Sequence, residues 1–111
     1  MKARSTRLRT VIGLVESGSS YTSRDLAARI RLTPSALRRL FKHETGVRFG
    51  EWLTEQRLQR AAHLLASSFL SVKEITHAVG YEHPSSFTRA FERRFLQTPS
   101  SYRAARARPA R

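Results

Sequence analysis

A nine-residue stretch occurs twice in this chain. Pro34-Ser35-Ala36-Leu37-Arg38-Arg39-Leu40-Phe41-Lys42 returns as Pro84-Ser85-Ser86-Phe87-Thr88-Arg89-Ala90-Phe91-Glu92. Proline, serine, arginine and phenylalanine coincide at a spacing of fifty residues, and Leu37 is answered by Phe87. Upstream, Asp25-Leu26-Ala27 is echoed by Glu74-Ile75-Thr76 at a spacing of forty-nine. Each copy therefore reads as a short helix, a turn and a longer helix, with the second turn one residue longer. In 111 residues there is room for one ordinary domain or two very small ones. Units this small bury modest cores and must share or bridge them. The expected fold is all-α: two helix-turn-helix subdomains, homeodomain-like bundles, joined by a long linker helix.

Local signals place the elements. Residues 1 to about 7 read as a frayed basic arm. Leu8, Val11, Ile12 and Val15 recur at helical spacing and give a first helix ending near Ser17-Gly18. Thr22-Ser23-Arg24-Asp25 approximates a capping box and opens a helix that buries Leu26, Ala27 and Ile30. That helix stops before Thr33-Pro34, because the residue before proline avoids helical torsions. Thr33 caps the next helix, with Pro34 at its first position, where a missing N–H costs nothing. Leu37, Leu40 and Phe41 face inward, and Gly46 ends the helix as a left-handed cap. Ser35, Arg38, Arg39 and Lys42 share the outward face.

Phe49 to Ala66 is the longest helical stretch, with Trp52, Leu53, Leu58, Ala61, Ala62, Leu64 and Leu65 on a broad apolar face. Ser71-Val72-Lys73-Glu74 is a full capping box; Val72, Ile75 and Val79 follow as its buried side, and Gly80 ends the helix. Tyr81 is expected to pack across the turn. From about His83 to Phe95, Phe87, Ala90, Phe91 and Phe95 point inward, while Ser85, Thr88, Arg89 and Glu92 point out. Thr98-Pro99 caps a short final helix carrying Tyr102. The expected boundaries are 1–48 and 68–103 for the two subdomains, 49–67 for the linker helix, and 104–111 for a flexible basic tail.

Charge narrows the function. Twenty-one basic residues against eight acidic ones give a net charge of +13 and a pI of about 11.7. Only Lys2, Lys42 and Lys73 are lysines; the other basic residues are arginines. Arginine is the better bidentate donor to phosphate and guanine. A domain this basic points first to nucleic acid, ahead of mere solubility or an anionic membrane surface. The apolar runs are too short to span a membrane. The N-terminus lacks the apolar core of a signal peptide, so a cytoplasmic, nucleoid-associated location is the default.

Enzyme chemistry finds no support in the sequence. There is no cysteine, so no disulfide and no thiolate metal site. His43, His63, His77 and His83 show no metal-ligand spacing. No Gly-rich phosphate loop or nucleophile elbow is present. The expectation is a non-enzyme with no cofactor and no metal. Trp52 and the phenylalanines fall on buried stripes, which disfavours the alternative of a small basic RNA-binding or ribosome-associated protein, since such readers expose aromatics for stacking.

These residues resemble the DNA-binding domain of the AraC/XylS family of bacterial transcription regulators, over about residues 8 to 103. Family members typically read Ile-Ala, then Gly-Phe, then Ser-x-Phe-x-Arg-x-Phe, then Gly-x-x-Pro and a Tyr/Phe-Arg ending. Ile75, Gly80-Tyr81, Ser85-Ser86-Phe87-Thr88-Arg89-Ala90-Phe91 and Pro99-Ser100-Ser101-Tyr102-Arg103 answer that pattern. Phe41-Lys42, Glu44-Thr45-Gly46, Trp52-Leu53, Arg57-Leu58, Ala61 and Leu64-Leu65 match in the middle. Three positions depart from it. Thr76 stands where a small alanine is usual, with looser helix packing expected. Arg31 replaces a common turn glycine, which predicts a strained or reshaped turn. Leu96 replaces the glycine that usually ends the last recognition helix, which puts its cap in question.

The resemblance implies sequence-specific double-stranded DNA binding to regulate transcription. It places Ser35, Arg38 and Arg39, and in the second copy Ser85, Thr88 and Arg89, at base edges. Phosphate contacts are expected at Thr33, Lys42, Arg48, Arg57, His83, Arg93 and Arg103. On periodicity alone the same residues are equally a solvated helix face, and Arg89 has a rival role in an ion pair with Glu74 or Glu92. The linker stretch spans roughly 27 Å at about 1.5 Å per residue, close to the ~34 Å of one B-DNA turn. That length fits two recognition helices in successive major grooves. RNA polymerase is the second partner such a regulator implies. A chain this short resembles the stand-alone members, which bind as monomers, or the DNA-binding part of a larger dimeric parent.

Overall fold

The computed structural model describes residues 4–18 and 20–106. Among them are seven helices and no strands: α1 Thr6–Glu16, α2 Ser23–Arg29, α3 Pro34–Thr45, α4 Phe49–Ser67, α5 Val72–Ala78, α6 Pro84–Phe95 and α7 Pro99–Arg106. The chain divides into two compact units, Met1–Gln56 and Arg57–Arg111. The division falls inside α4, so each unit takes part of that helix.

The first unit is built on caps that its sequence specifies. Thr22 Oγ1 accepts the Asp25 N–H at 3.0 Å, and Asp25 Oδ2 accepts the Thr22 N–H at 3.2 Å. Asp, one carbon shorter than the usual Glu, still closes the box. Thr33 Oγ1 accepts the Ala36 N–H at 3.1 Å and starts α3 on Pro34. Gly46, at φ 78°, ends α3 in the left-handed region. With both ends set, Leu26, Ala27, Ile30, Leu37 and Phe41 are buried together with Leu8 and Val11 of α1. Phe49 and Trp52 of α4 close the core, their ring centroids 5.2 and 5.1 Å from that of Phe41. Each fully buried large apolar side chain contributes about 1.5–3 kcal/mol relative to exposure.

The second unit repeats this plan. Ser71 and Glu74 form the capping box of α5, at 3.0 and 2.8 Å. Ile75, Val79, Phe87 and Phe91 are buried with Leu58, Ala61, Ala62 and Leu65 of α4. Tyr81 packs its ring edge-on against Phe87, 5.6 Å between centroids. Tyr102 of α7 stands edge-on to Phe91 at 5.3 Å. Thr98 Oγ1 caps α7 by accepting the Ser101 N–H at 3.1 Å.

The fifty-residue correspondence therefore reaches beyond the helix-turn-helix motifs. Leu8 and Val11 of α1 are buried as Leu58 and Ala61 of α4 are. Trp52 meets Phe41 as Tyr102 meets Phe91. One helix thus serves twice. The first turns of α4 close unit 1 as α7 closes unit 2, and its later turns open unit 2 as α1 opens unit 1.

Residues 1–3 of the expected arm lie outside the described residues, while the described residues near each end make contacts that the sequence does not predict. The basic arm is already engaged at Arg4: Glu44 Oε1 accepts the N–H groups of Arg4 and Ser5 at 2.9 and 3.0 Å. Ser5 then caps α1 by accepting the Leu8 N–H. At the other end α7 runs through Arg106, and residues 107–111 of the expected tail lie outside the described residues.

The three departures have distinct outcomes. Thr76 is fully buried, yet its hydroxyl donates to the Val72 carbonyl at 2.8 Å, one turn back along α5. Its polar atom is therefore satisfied within its own helix. Arg31 and Leu96 both adopt left-handed torsions, φ 60° and 61°. The Leu96 cap does form: its N–H donates to the Glu92 carbonyl at 2.8 Å. For a residue with a Cβ such torsions cost roughly 1–2 kcal/mol.

Candidate nucleic-acid interface

Helix α3 presents Ser35, Arg38, Arg39 and Lys42 on one exposed face, opposite buried Leu37 and Phe41. Helical spacing alone produces this division once the inward stripe is fixed. An Arg38 terminal nitrogen donates to Ser35 Oγ at 3.2 Å, which draws the guanidinium toward the N-terminal end of the helix. Lys42 Nζ donates to the Gly46 carbonyl at 3.0 Å, so its charge sits at the C-terminal end, where the helix dipole favours a cation. Arg39 and Arg48 are exposed. Thr33 is exposed but uses its oxygen as the α3 cap.

Helix α6 offers a different surface. Ser85 and Arg89 are exposed, whereas Thr88, expected to point out, is half-buried. Glu92 is exposed on the same helix, so the outward row has mixed charge. Glu74 is committed to its capping box rather than to Arg89. His83 occupies the N-cap position of α6 without a side-chain cap bond, and it too is exposed.

Two of the expected phosphate ligands act on one tyrosine. Arg57 of α4 lies over the Tyr81 ring at 5.9 Å. Burial lowers its guanidinium pKa, with Tyr81 opposing that shift. Burial raises the Tyr81 phenol, and the positive charges of Arg57 and Arg93 pull it back. Both arginines thus bear on Tyr81 through their charge, with Arg57 half-buried and Arg93 exposed. Arg103 has a structural task. Its Nε donates to the Leu65 carbonyl at 3.0 Å and a terminal nitrogen to the Ser68 carbonyl at 3.1 Å. It thereby satisfies carbonyls at the C-terminal end of α4 that the helix itself leaves open.

Sequence reading missed Arg103's task and Glu44's hold on Arg4 and Ser5, because both join residues far apart in the chain. No set of residues suited to hold a metal ion occurs among the described residues, and no helix among them is long and apolar enough to cross a membrane.

Two helices, each with an exposed face on a small packed unit and each led in by a shorter helix and a tight turn, define a double helix-turn-helix module. The family model described as "Helix-turn-helix domain" matches residues 26–105, and the chain belongs to that family, in its AraC-type branch. The HTH-type transcriptional regulator GlxA of Rhizobium meliloti (strain 1021) is 43% identical over 82 residues, 71% of this chain and 25% of that protein. A transcriptional regulator from Chromobacterium violaceum, of the AraC-type DNA-binding domain-containing proteins, superposes with a TM-score of 0.72 at 29% identity. That match covers 94% of this chain and 95% of that one. The DNA-binding domain of AdpA, solved in complex with a target DNA, gives a TM-score of 0.76 at 31% identity, covering 91% and 93%. The chain spans about a tenth to a third of the length of the curated relatives it matches.

Proposed function

We propose that this chain binds specific sequences in double-stranded DNA and thereby regulates transcription. The observation that carries the reading is the exposed α3 face, Ser35-Arg38-Arg39-Lys42, on a helix capped at both ends in a chain of net charge +13. The likeness to the AdpA domain, whose structure was solved with a target DNA, supports it. Arg38 and Arg39 are the base readers of α3, since arginine to guanine is the commonest specific contact. Ser35 steadies Arg38 and reaches an adjacent base edge. Ser85, Thr88 and Arg89 do the corresponding work on α6 with weaker chemistry, because hydroxyls discriminate bases poorly. Thr33, Lys42, Arg48, Arg57, His83 and Arg93 hold phosphates and fix the register. Arg103 contributes charge there secondarily, through its capping position.

The nineteen residues of α4 measure roughly 28 Å along a helix. That length suits entry of the two recognition helices into successive major grooves. The chain acts as a monomer on DNA unless it is joined to a larger dimeric regulator. Its site of action is the cytoplasmic nucleoid, with RNA polymerase as a further partner. Competition binding tests the reading: duplex DNA selected for affinity displaces the protein at physiological salt far better than structured RNA does. Equal displacement by RNA would overturn it in favour of an RNA-binding role.

A further inference from the structure

The turn that leads into α3 carries an arginine in a conformation that favours glycine. Arg31 sits at φ 60°, directly after the Ile30 cap of α2 and two residues before the Thr33 cap of α3. The corresponding residue of the second unit is Gly80, at φ 101°. The fold therefore accepts glycine at this turn, and nothing in the packing asks for arginine. The Arg31 side chain is exposed, and its only hydrogen bond among the described residues is made by its backbone N–H, to the Ala28 carbonyl at 3.1 Å. Its neighbour Arg29 is occupied, lying over the Tyr21 ring at 5.4 Å. A left-handed arginine with no internal partner is strain without structural return, and such strain clusters at functional sites.

We infer that Arg31 is a phosphate contact of the first unit, held at the rim of the groove that α3 enters. The inference rests on the DNA-binding reading above. When a recognition helix enters the major groove, its N-terminal residues meet the bases, so the turn just ahead of it lies beside a backbone strand. An arginine there reaches the phosphate oxygens as a bidentate donor. The left-handed torsion turns its Cα–Cβ bond away from the direction it would take in a continuing helix. The second unit, with Gly80, lacks this contact, which fits the weaker readout chemistry of α6.

The test separates fold from binding by opposite signs. Arg31→Gly relieves the torsion and removes the charge; Arg31→Lys keeps both the strain and the charge. Arg31→Gly is expected to raise the melting temperature while weakening binding on the order of tenfold. The loss should be equal on the selected duplex and on a random duplex of the same length, with the salt slope reduced by about one. Arg31→Lys should retain most of the affinity and the slope. If Arg31→Gly binds the selected duplex with unchanged affinity and slope, the contact does not exist. A lowered melting temperature would remove the strain premise. If the wild-type chain binds no duplex, the DNA reading itself fails and this inference with it.

Discussion

Phe41 in the first unit and Phe91 in the second stand at the same place, each buried and each met by an aromatic ring from the closing helix. Around that common centre the units differ at their helix ends and outer faces. In unit 1 the turn before the recognition helix has a left-handed Arg31 and the cap after it is Gly46; in unit 2 the turn has Gly80 and the cap is Leu96. Glycine has changed sides at two equivalent positions, so neither torsion depends on it. The end of α3 carries Glu44, which holds the free start of α1, while the matching residue of α6 is Arg94. The reason is topological. The counterpart of the α1 start lies inside α4, where backbone N–H groups already have helical partners. Shared burial fixes the fold in both copies, and what each end must satisfy fixes the differences.

The comparison can be broken most severely at its centre. Phe41→Ala and Phe91→Ala should each cost about 3–5 kcal/mol, as a buried phenylalanine truncation does. Amide exchange should show protection lost first in the unit that carries the change. Loss spread evenly over both units from either substitution would deny them separate cores.

Next in size is the outer face. Arg38→Ala should cost roughly 1–3 kcal/mol of DNA binding and relax preference at one base pair. Thr88→Ala, on the half-buried equivalent, should cost less than Arg38→Ala when both are titrated against single-base variants of one duplex. The reverse order would move the main reader to α6.

Arg103→Met removes two bonds to the end of α4 while keeping much of the side-chain bulk, and urea unfolding should show a loss of about 1–2 kcal/mol. The glycine exchange is smaller. Leu96→Gly should stabilise by up to about 1 kcal/mol, because relief of the left-handed torsion exceeds the added chain entropy. Gly46→Leu should destabilise, although a Cβ there meets nothing within 4 Å, since its torsion alone carries the strain. Equal melting temperatures for all three chains would contradict the strain assigned to these caps.

The smallest effect is electrostatic. The N–H groups of Ser5 and Arg4 hold the Glu44 carboxyl below its ordinary pKa, with burial opposing them. A depressed carboxylate stabilises the fold above its unfolded-state pKa, and that contribution is lost as pH falls through the folded-state value. Glu44→Gln should therefore flatten part of the acid-induced loss of unit 1 stability. Arg94 supplies no counterpart in unit 2.

Much of this was legible in the sequence because it is local. Thr22, Thr33 and Ser71 act within three residues of themselves, and the Pro34 and Pro84 starts need no distant partner. The apolar stripes of α3 and α6 follow from period alone, and they oriented the whole candidate interface. Glu44 with Arg4, and Arg103 with Leu65, were not legible, because these bonds link residues 35 to 40 apart. Thr88 is half-buried for a related reason: helical period gives direction, and the degree of cover is a tertiary property. Arg31 and Leu96 stood out only as departures from a resembling pattern, and their torsions gave those departures a physical meaning.

Selection of bound sequences from a random duplex pool tests the central claim most directly. The account predicts two preferred boxes about one helical turn apart, one with the stronger preference, and that stronger box blurred at one base pair by Arg38→Ala. A pool that yields no shared sequence, or a stronger box that survives Arg38→Ala and is erased by Thr88→Ala, would contradict it.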